Sequence, residues 1–189
     1  MKLVTSKQAL VDCLSIVNKA VSSRSSIQVL SGVLMEAADE SITLSATDME
    51  ISIKASLAGD VQRAGSLVLP ARIAGEIARS LPQGEVTLEQ KPGETQVEIR
   101  AGESVFDLHS LPATDFPQFP SFTGERFTVS RAAFLETVDR VAPSASRDET
   151  RPVLTGVLVH LAKRSVRMVA TDSYRLSVKE TPVDSSVPE

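Results

Sequence analysis

Two stretches decide the fold of this chain: Val29-Leu30-Ser31-Gly32-Val33-Leu34 and, 124 residues later, Val153-Leu154-Thr155-Gly156-Val157-Leu158. The match continues at the same offset, from Ser41…Ala46-Thr47-Asp48 to Ser165…Ala170-Thr171-Asp172. Half of positions 29–48 are identical to their partners, and residues 3–48 align with 127–172 without a gap. A repeat of this length indicates that one domain was duplicated. Because nothing after Glu189 corresponds to residues 66–111, we expect one whole domain and about half of a second.

The composition limits the class of protein. Apolar residues make up 42% of the chain and charged residues 23%, which is typical of a globular protein. The single cysteine, Cys13, cannot form an internal disulfide and fits a reducing, cytoplasmic location. We see neither a signal peptide nor an apolar run of the roughly 18 residues that a membrane span needs. The net charge of −4 argues weakly against nucleic acid as a partner.

The hydrophobic periodicity predicts a βαβββ unit that occurs twice in the first domain. Ser6 is placed to cap a first helix, and apolar residues follow it at helical spacing (Leu10, Cys13, Leu14, Val17 and Val21). Strands are predicted at Val29–Ala37, Ser41–Ala46 and 51–57. A strand at Leu67–Leu69 ends at Pro70, which opens a second helix with Ile73, Ile77, Ala78 and Leu81 as its apolar stripe. Three alternating strands follow, at 86–88, 97–99 and 105–108.

In the second copy, Ser130 takes the capping position ahead of Phe134, Leu135, Val138 and Val141. The pattern as a whole predicts an α+β fold, with antiparallel sheets backed by two helices per domain. We expect a complete domain at 1–118, a linker at 119–124 and a truncated second domain at 125–189. The Pro- and Phe-rich segment 112–124 is predicted to be extended, with its Phe residues packed on a domain surface.

Five motifs, in this order along the chain, carry a resemblance to a known family: Val29-Leu30-Ser31-Gly32, Thr47-Asp48-Met49-Glu50, Leu69-Pro70-Ala71-Arg72, Leu111-Pro112-Ala113-Thr114-Asp115-Phe116-Pro117 and Thr171-Asp172-Ser173-Tyr174-Arg175-Leu176. Together they resemble the bacterial DNA polymerase III beta subunit, the DNA sliding clamp. The resemblance implies a DNA-clamp fold and a three-domain subunit that pairs head to tail into a ring around duplex DNA. This chain then corresponds to domain I and the opening half of domain II, with domain III absent.

A sliding ring must attract phosphates without binding bases, because base contacts would stall it. Its channel helices should therefore carry basic residues opposite their apolar stripe, and on the second helix Arg72, Gly75 and Arg79 lie opposite Ile73 and Ile77. Together with positions that match the family, this gives a DNA-binding set of Arg24, Arg72, Arg79, Arg140, Arg147 and Arg151. Because solvated charges lie opposite the apolar stripe of most surface helices, a purely structural role stays open.

The resemblance implies two further surfaces. One is a cleft for short peptides of DNA polymerase III and clamp-loader subunits, whose domain II wall matches Leu154, Thr171, Ser173, Tyr174, Arg175 and Leu176. The alternative is a turn at Thr171-Asp172 with core leucines on either side. One inserted residue, Met49-Glu50 against Ser173-Tyr174-Arg175, is expected to distinguish this wall from the first copy. The other surface is the homodimer joint, which matches Ile73, Ile77, Phe106 and Leu108, although the two isoleucines fit an internal core equally well.

The residues give little support to catalysis. His109 and His160 lack metal-ligand spacing, and no cysteine pair is present for a zinc site, so we expect no cofactor and no metal. The repeated Asp48 and Asp172 are interpreted as turn formers. The predicted function is a processivity factor that slides on duplex DNA without sequence preference. The alternative is a stand-alone clamp-like adaptor that binds proteins and does not encircle DNA.

Overall fold

The computed structural model describes residues 1–22, 27–123, 127–162 and 164–183. The chain divides into two compact units, Met1–Pro120 and Ser121–Glu189.

The first unit contains two helices and nine strands within the described residues. The helices are α1 (Lys7–Val17) and α2 (Ala71–Ser80). The strands are β1 (Lys2–Ser6), β2 (Gly32–Ala38), β3 (Ser41–Thr47), β4 (Ser52–Leu57), β5 (Gly59–Arg63), β6 (Gly65–Pro70), β7 (Glu85–Glu89), β8 (Gln96–Ala101) and β9 (Ser104–His109).

The strands form two antiparallel sheets, one in the order β5-β1-β7-β8-β9 and one in the order β4-β3-β2-β6. Helix α1 packs on β3 and β4 and contacts α2, so an aliphatic core lies between the helices and the sheets. The predicted α+β class, with antiparallel sheets backed by two helices, is therefore confirmed for this unit.

Helix α1 begins as the sequence predicts. The Ser6 hydroxyl accepts a hydrogen bond from the Ala9 N–H at 3.1 Å, which satisfies one of the free amides of the first turn. The buried stripe contains Leu10, Cys13, Leu14 and Val17. Val21, which the spacing predicts on the same stripe, lies beyond the helix, because a turn of 3-10 helix follows at Asn18–Ala20.

The buried face of helix α2 differs from the predicted one. Its buried residues are small, namely Ala71, Ala74, Gly75 and Ala78, whereas Ile73 is 40% exposed and Ile77 is only partly buried. The prediction that Gly75 faces outward with the arginines is wrong. Periodicity picks out the larger isoleucines, but α2 contacts α1, and small residues let two helices approach closely.

Two local predictions for the strands of the first unit are also wrong. Val29 to Ser31 belong to a 3-10 helix, Gln28–Ser31, and β2 begins only at Gly32. Strand β5 is absent from the prediction because one apolar residue, Val61, gives it no visible alternation.

Strands β4 and β5 are separated only by Ala58, yet they belong to different sheets. The Thr5 hydroxyl donates a hydrogen bond to the Ala58 carbonyl at 2.6 Å. This bond anchors the backbone at Ala58, where the chain crosses from one sheet to the other. A Cβ atom at Gly59 would lie 2.5 Å from the Val4 carbonyl oxygen, so the chain requires glycine there. One continuous segment thus connects the two sheets.

The second unit has a helix α3 (Arg131–Val141), a single turn α4 (Pro152–Thr155) and a sheet of β10 (Leu158–Ala162), β11 (Ser165–Thr171) and β12 (Leu176–Pro182). Its core cluster is small and includes Val141, Val166, Met168 and Ala170. The predicted stripe of α3 is only partly correct. Phe134 and Leu135 are exposed at 39% and 46%, and the Ser130 side chain makes no capping hydrogen bond.

The duplication is visible element by element. At the offset of 124, α3 falls on α1, β11 falls on β3, and the 3-10 turn Ala142–Ser144 falls on Asn18–Ala20. The register also agrees, because Thr47 pairs with Ser52 as Thr171 pairs with Leu176. The expected inserted residue is therefore wrong: the offset stays at 124 as far as Leu57 and Thr181. A difference remains at 127–130, which form no strand, unlike β1.

The segment after β9 packs on the outer face of the four-stranded sheet. Leu111 and Val68 exchange backbone hydrogen bonds of 2.9 and 3.0 Å, and a 3-10 turn follows at Ala113–Asp115. Phe116 is buried in a small cluster with Val29, Leu30 and Val68. Phe122 is 91% exposed, so the expectation of packed Phe residues does not hold for that ring. No helix in the described ranges has the length and apolar character needed to cross a bilayer.

Candidate functional site

The predicted channel arginines of α2 both lie on exposed positions. Arg72 forms an i,i+4 ion pair with Glu76 at 3.2 Å, and its side chain is 81% exposed. Arg79 lies two turns further along the helix. The helix thus presents basic groups to solvent, one of them partly neutralised by its neighbour.

The Arg79 guanidinium lies close to Gly75. A Cβ atom at Gly75 would be 3.3 Å from Arg79 Nη1 and 3.4 Å from Asn18 Nδ2, so both side-chain ends converge on the gap that glycine leaves. Within the described part of the chain, Asn18 Oδ1 is buried without a hydrogen-bond partner. This close contact between α1 and α2 is not visible in the sequence, because it joins residues far apart in the chain.

Arg140 of α3 belongs to a three-residue charge cluster. Its Nη2 lies 2.9 Å from Glu136 Oε1, and Lys179 of β12 approaches the same oxygen at 2.8 Å. The hydrogen bond from Lys179 is the main reason that the pKa of Glu136 lies below its usual value, and Arg140 adds to the effect. The cluster has a net positive charge of one, since two cations share one carboxylate.

Arg147 and Arg151 line a surface depression of about 530 Å³ in the second unit, together with Tyr174 and Arg175. Arg151 Nε lies 3.0 Å from Asp148 Oδ2, and Arg151 Nη1 donates to Ser173 Oγ at 3.1 Å. The structure therefore brings two predicted DNA contacts beside two predicted peptide contacts. Arg24 lies outside the described residues.

The turn after β11 orients this depression. Asp172 Oδ1 accepts hydrogen bonds of 3.0 Å from the Tyr174 and Arg175 N–H groups, and these bonds are the main reason that its pKa is lowered. The Thr171 hydroxyl donates to the Arg175 carbonyl at 2.7 Å. Ser173 has a φ of 78°, in the left-handed region.

The first copy forms the same turn. Asp48 Oδ1 accepts from the Glu50 and Ile51 N–H groups, and Met49 has a φ of 77°. The interpretation of both aspartates as turn formers is thus consistent with the structure.

Arg175 is where the second copy departs from the first, which has Ile51 at the equivalent place. Its guanidinium pairs with Asp172 at 3.0 Å and donates to the Pro143 carbonyl at 2.5 Å. Isoleucine cannot make either contact. The depression therefore depends on a residue type that the repeat does not share.

The rest of the predicted peptide wall is less compact. Tyr174 is 95% exposed and Leu176 is 65% exposed, while Leu154 is half-buried in α4 and its carbonyl accepts from the Ser146 N–H at 2.8 Å. Of the six predicted residues, Tyr174 and Arg175 line the depression, and Ser173 reaches it through Arg151. Pro143, Ala145 and Asp148 also line it, although the motifs do not predict them.

The four residues predicted for the ring joint lie on α2 and β9. Leu108 is 6% exposed and belongs to the internal core, and Ile77 and Phe106 are partly buried against that core. Ile73 is the exposed member of the set. Strand β9 lies at the edge of the five-stranded sheet, where another strand could add.

Two family models match the chain. Residues 1–120 match the DNA polymerase III beta subunit N-terminal domain, and residues 128–189 match the central domain of the same subunit. The chain belongs to the DNA polymerase III beta subunit family. The family predicted from the motifs is thereby confirmed, as is the clamp fold.

Individual members of the family agree over nearly the whole chain. The beta sliding clamp of Micrococcus luteus is 36% identical to this chain, and the alignment covers 99% of this chain and 61% of that protein. That of Synechocystis is 38% identical and covers 96% of this chain and 49% of its own. The sliding clamp structure from Caulobacter crescentus is 33% identical, with a TM-score of 0.89, and covers 100% of this chain and 53% of that one. The chain thus spans about half to three-fifths of the length of these relatives.

A further cavity lies outside the DNA, peptide and ring surfaces predicted for the chain. It lies in the first unit, between the outer face of the four-stranded sheet and the segment after β9, and has a volume of about 560 Å³. Among the described residues no group of three or more His, Cys, Asp or Glu side chains could hold a metal ion.

Proposed function

We propose that this chain forms part of a sliding clamp, a ring that encircles duplex DNA and tethers the replicative polymerase and its clamp loader. The observation that best supports this proposal is the repetition of one fold along a chain of the clamp family. Residues 131–181 repeat the elements and the strand register of residues 7–57. Repeated units of one shape can close into a symmetric ring. The proposal includes closure of the ring with a second subunit. It also includes the assignment of this chain to domain I and half of domain II.

In this proposal the DNA contacts are Arg24, Arg72, Arg79, Arg140, Arg147 and Arg151. Exposed arginines attract phosphates through counterion release, which is independent of sequence and lets a protein slide. An acidic chain with basic groups on selected faces should hold DNA only there. The clamp acts without catalysis or cofactor, in the cytoplasm.

The partner peptides bind at the depression of the second unit. Tyr174 offers an exposed ring and Leu176 an exposed apolar side chain, while Arg147, Arg151 and Arg175 supply donors at the rim. Such a mixture of apolar anchors and a few oriented polar groups suits a short linear peptide. The ring joint uses the exposed Ile73 and the edge strand β9, with Ile77, Phe106 and Leu108 behind them.

The topological part of the proposal is tested in a chimera in which residues 1–189 replace the matched region of the Caulobacter crescentus clamp. After loading by a bacterial clamp loader, the chimera should co-elute with nicked circular duplex during gel filtration. It should be released when the circle is cut, because a ring slides off an end. A folded, dimeric chimera that leaves circular and linear DNA equally fast would refute encirclement.

The electrostatic part is tested on the 189-residue chain itself. Replacing Arg72 and Arg79 together by Ala should weaken duplex binding and reduce the slope of log K against log salt by up to about 0.9 for each phosphate that is no longer neutralised. Arg100→Ala, which removes an exposed arginine of β8 that pairs with Glu98, is the matched control. Equal salt slopes in the α2 variant and the control variant would show that α2 does not contact DNA.

The adaptor alternative has one observation in its favour. Arg72 and Arg140 are each paired with a glutamate of their own helix, which reduces the charge that they offer to phosphates. An adaptor would bind partner peptides at Tyr174 and Arg175 but would show no difference between circular and linear DNA. The chimera experiment therefore separates the two functions.

A further inference from the structure

The side chain of Asn18 lies at the contact between the end of α1 and helix α2. Its Nδ2 is 3.4 Å from the point where a Cβ atom of Gly75 would stand. Within the described ranges, the only buried side-chain oxygen or nitrogen without a hydrogen-bond partner is Oδ1 of this asparagine. Because buried polar groups in native proteins are nearly always paired, this unpaired carbonyl needs an explanation.

The neighbour of this amide is the guanidinium of Arg79. Its Nη1 and Nη2 lie 3.3 and 3.8 Å from the same point beside Gly75. Among the described residues, none accepts a hydrogen bond from Arg79 or forms an ion pair with it. Arg72, on the same helix, is instead paired with Glu76. Arg79 therefore keeps both its full charge and its capacity to donate.

The amide of Asn18 can satisfy both groups by a change of orientation. In the orientation described above, its NH2 group and the Arg79 guanidinium are two donors beside one point, and the carbonyl is buried without a donor. A half-turn about the Cβ–Cγ bond exchanges the carbonyl and the NH2 group. The carbonyl can then accept a charge-assisted hydrogen bond from Arg79. The NH2 group then lies at the end of a helix, where the last backbone carbonyls have no partner within the helix.

The second copy shows that the local turn does not require an amide. At the offset of 124, Asn18 corresponds to Ala142. Both residues begin a 3-10 turn directly after their helix, at Asn18–Ala20 and Ala142–Ser144. Since alanine is sufficient for the turn, a role for the asparagine side chain must be sought at the contact with α2.

We propose that Asn18 is a positioning residue for Arg79 at the surface that binds DNA. Its side-chain carbonyl accepts a hydrogen bond from the guanidinium and holds it over Gly75, and the remaining N–H groups are left for a phosphate of the DNA backbone. A side chain that is already ordered loses less conformational freedom when it binds. This proposal rests on the DNA surface proposed above for α2, and it adds to that surface a residue of the other helix.

The contact is tested by NMR on the ¹⁵N-labelled 189-residue chain without DNA. At low temperature, a guanidinium held by an acceptor rotates slowly and gives separate Hη signals, whereas a free one gives an averaged signal. The Arg79 signals, assigned by their loss in Arg79→Lys, should be separate in the parent and averaged in Asn18→Ala. They should stay separate in Asn18→Asp, whose carboxylate also accepts. Gln8→Ala, which removes an amide at the other end of α1 that pairs with Asp12, is the matched control.

The effect on DNA is measured with the same variants and a short duplex at low salt. Asn18→Ala should weaken binding by up to about tenfold, the factor that corresponds to ordering one long side chain on binding. In an Arg79→Ala background the same substitution should have no further effect, because the group that it positions is gone. A merely structural role of Asn18 would weaken binding equally in both backgrounds.

The outcomes separate this proposal from the one on which it rests. Averaged Arg79 signals in the parent, or signals that are unchanged in Asn18→Ala, would overturn the proposed contact. Equal weakening of DNA binding by Asn18→Ala with and without Arg79 would overturn the positioning role. If the signals depend on Asn18 but Arg79→Ala binds DNA as tightly as the parent, the DNA surface on α2 is itself wrong, and the positioning role is refuted with it.

Discussion

Gly75 lies in the interior of α2, beside the side chain of Asn18. Glycine costs a helix interior about 1 kcal/mol relative to alanine, so its presence needs a reason. The surrounding contacts make only a weak demand for glycine, because the atoms nearest to the position of a Cβ atom are the side-chain ends of Arg79 and Asn18, at 3.3 and 3.4 Å.

We expect Gly75→Ala to raise the free energy of unfolding by roughly 0.5 kcal/mol, because the contacting atoms are the ends of flexible side chains that can move by a few tenths of an ångström. Gly75→Leu should instead lower it by about 1–3 kcal/mol, since the larger side chain overpacks the junction. Urea denaturation followed by circular dichroism measures both. If the alanine variant is less stable than the parent, the two side chains are rigidly held.

Residue size explains what the sequence can and cannot predict about α2. The helix itself, its start after Pro70 and its two exposed arginines are all evident from local patterns. The buried face is not evident from local patterns, because the isoleucines Ile73 and Ile77 are more hydrophobic than alanine on any hydrophobicity scale. Only the presence of α1 alongside makes Ala74 and Ala78 the buried residues.

At the scale of elements, α3 and β12 are joined by a buried pair of hydroxyl groups. Thr137 is 1% exposed and donates to the Ala133 carbonyl at 2.7 Å, so it can accept a hydrogen bond from Thr181. The first copy has Cys13 and Leu57 in these places, both in its core. The first copy thus has two apolar core residues where the second has a buried pair of hydroxyl groups.

We expect Thr137→Val to destabilise the second unit by about 1–3 kcal/mol, because it leaves the Thr181 hydroxyl buried without its acceptor. The double variant, with Thr181→Val added, should recover most of that loss. A double-mutant cycle from urea denaturation gives the coupling directly. Strictly additive losses would show that the two hydroxyl groups do not interact.

The elements also show where sequence patterns lose information. Alternation located most strands of the first unit, and the repeat extended the pattern to the second. It failed for β5, which has a single apolar residue and is recognised only by its pairing with β1. It also failed for Gln28–Ser31, where an apolar run predicts a strand and the chain forms a 3-10 helix.

For the whole molecule, the duplication gives each position of the second unit a reference in the first. Val159 is 50% exposed, whereas its counterpart Met35 is fully buried, and Leu161 is 40% exposed against 1% for Ala37. Strand β2 lies between β3 and β6, whereas β10 is at the edge of its sheet among the described residues. The first unit therefore protects positions that the second leaves open.

Hydrogen exchange should reflect this difference in the 189-residue chain. We expect the amides of β10 to exchange faster than those of β2, because an edge strand opens locally without disrupting the core. Mass spectrometry of peptic fragments, with β3 and β11 as a matched pair of inner strands, measures the ratio. Equal rates in β2 and β10 in a dilute monomer would contradict it.

The duplication, the family and the α+β class are all accessible from the sequence, because they depend on patterns that repeat along the chain. The cavity between the four-stranded sheet and the segment after β9 cannot be predicted from the sequence. Its walls come from residues 34–66 and 113–119, which meet only after folding. The depression around Arg175 is predicted in part, because the motif names Tyr174 and Arg175 but not Pro143 or Asp148.

The crossing at Ala58 has a mechanical consequence. A single residue joins β4 of one sheet to β5 of the other. The two sheets therefore cannot separate unless one of these strands detaches from its neighbours. Tension applied to one sheet passes covalently to the other across a glycine that admits no side chain. Sliding of one sheet over the other should therefore be restricted at this point of the first unit, because it would break the pairing of β4 with β3 or of β5 with β1.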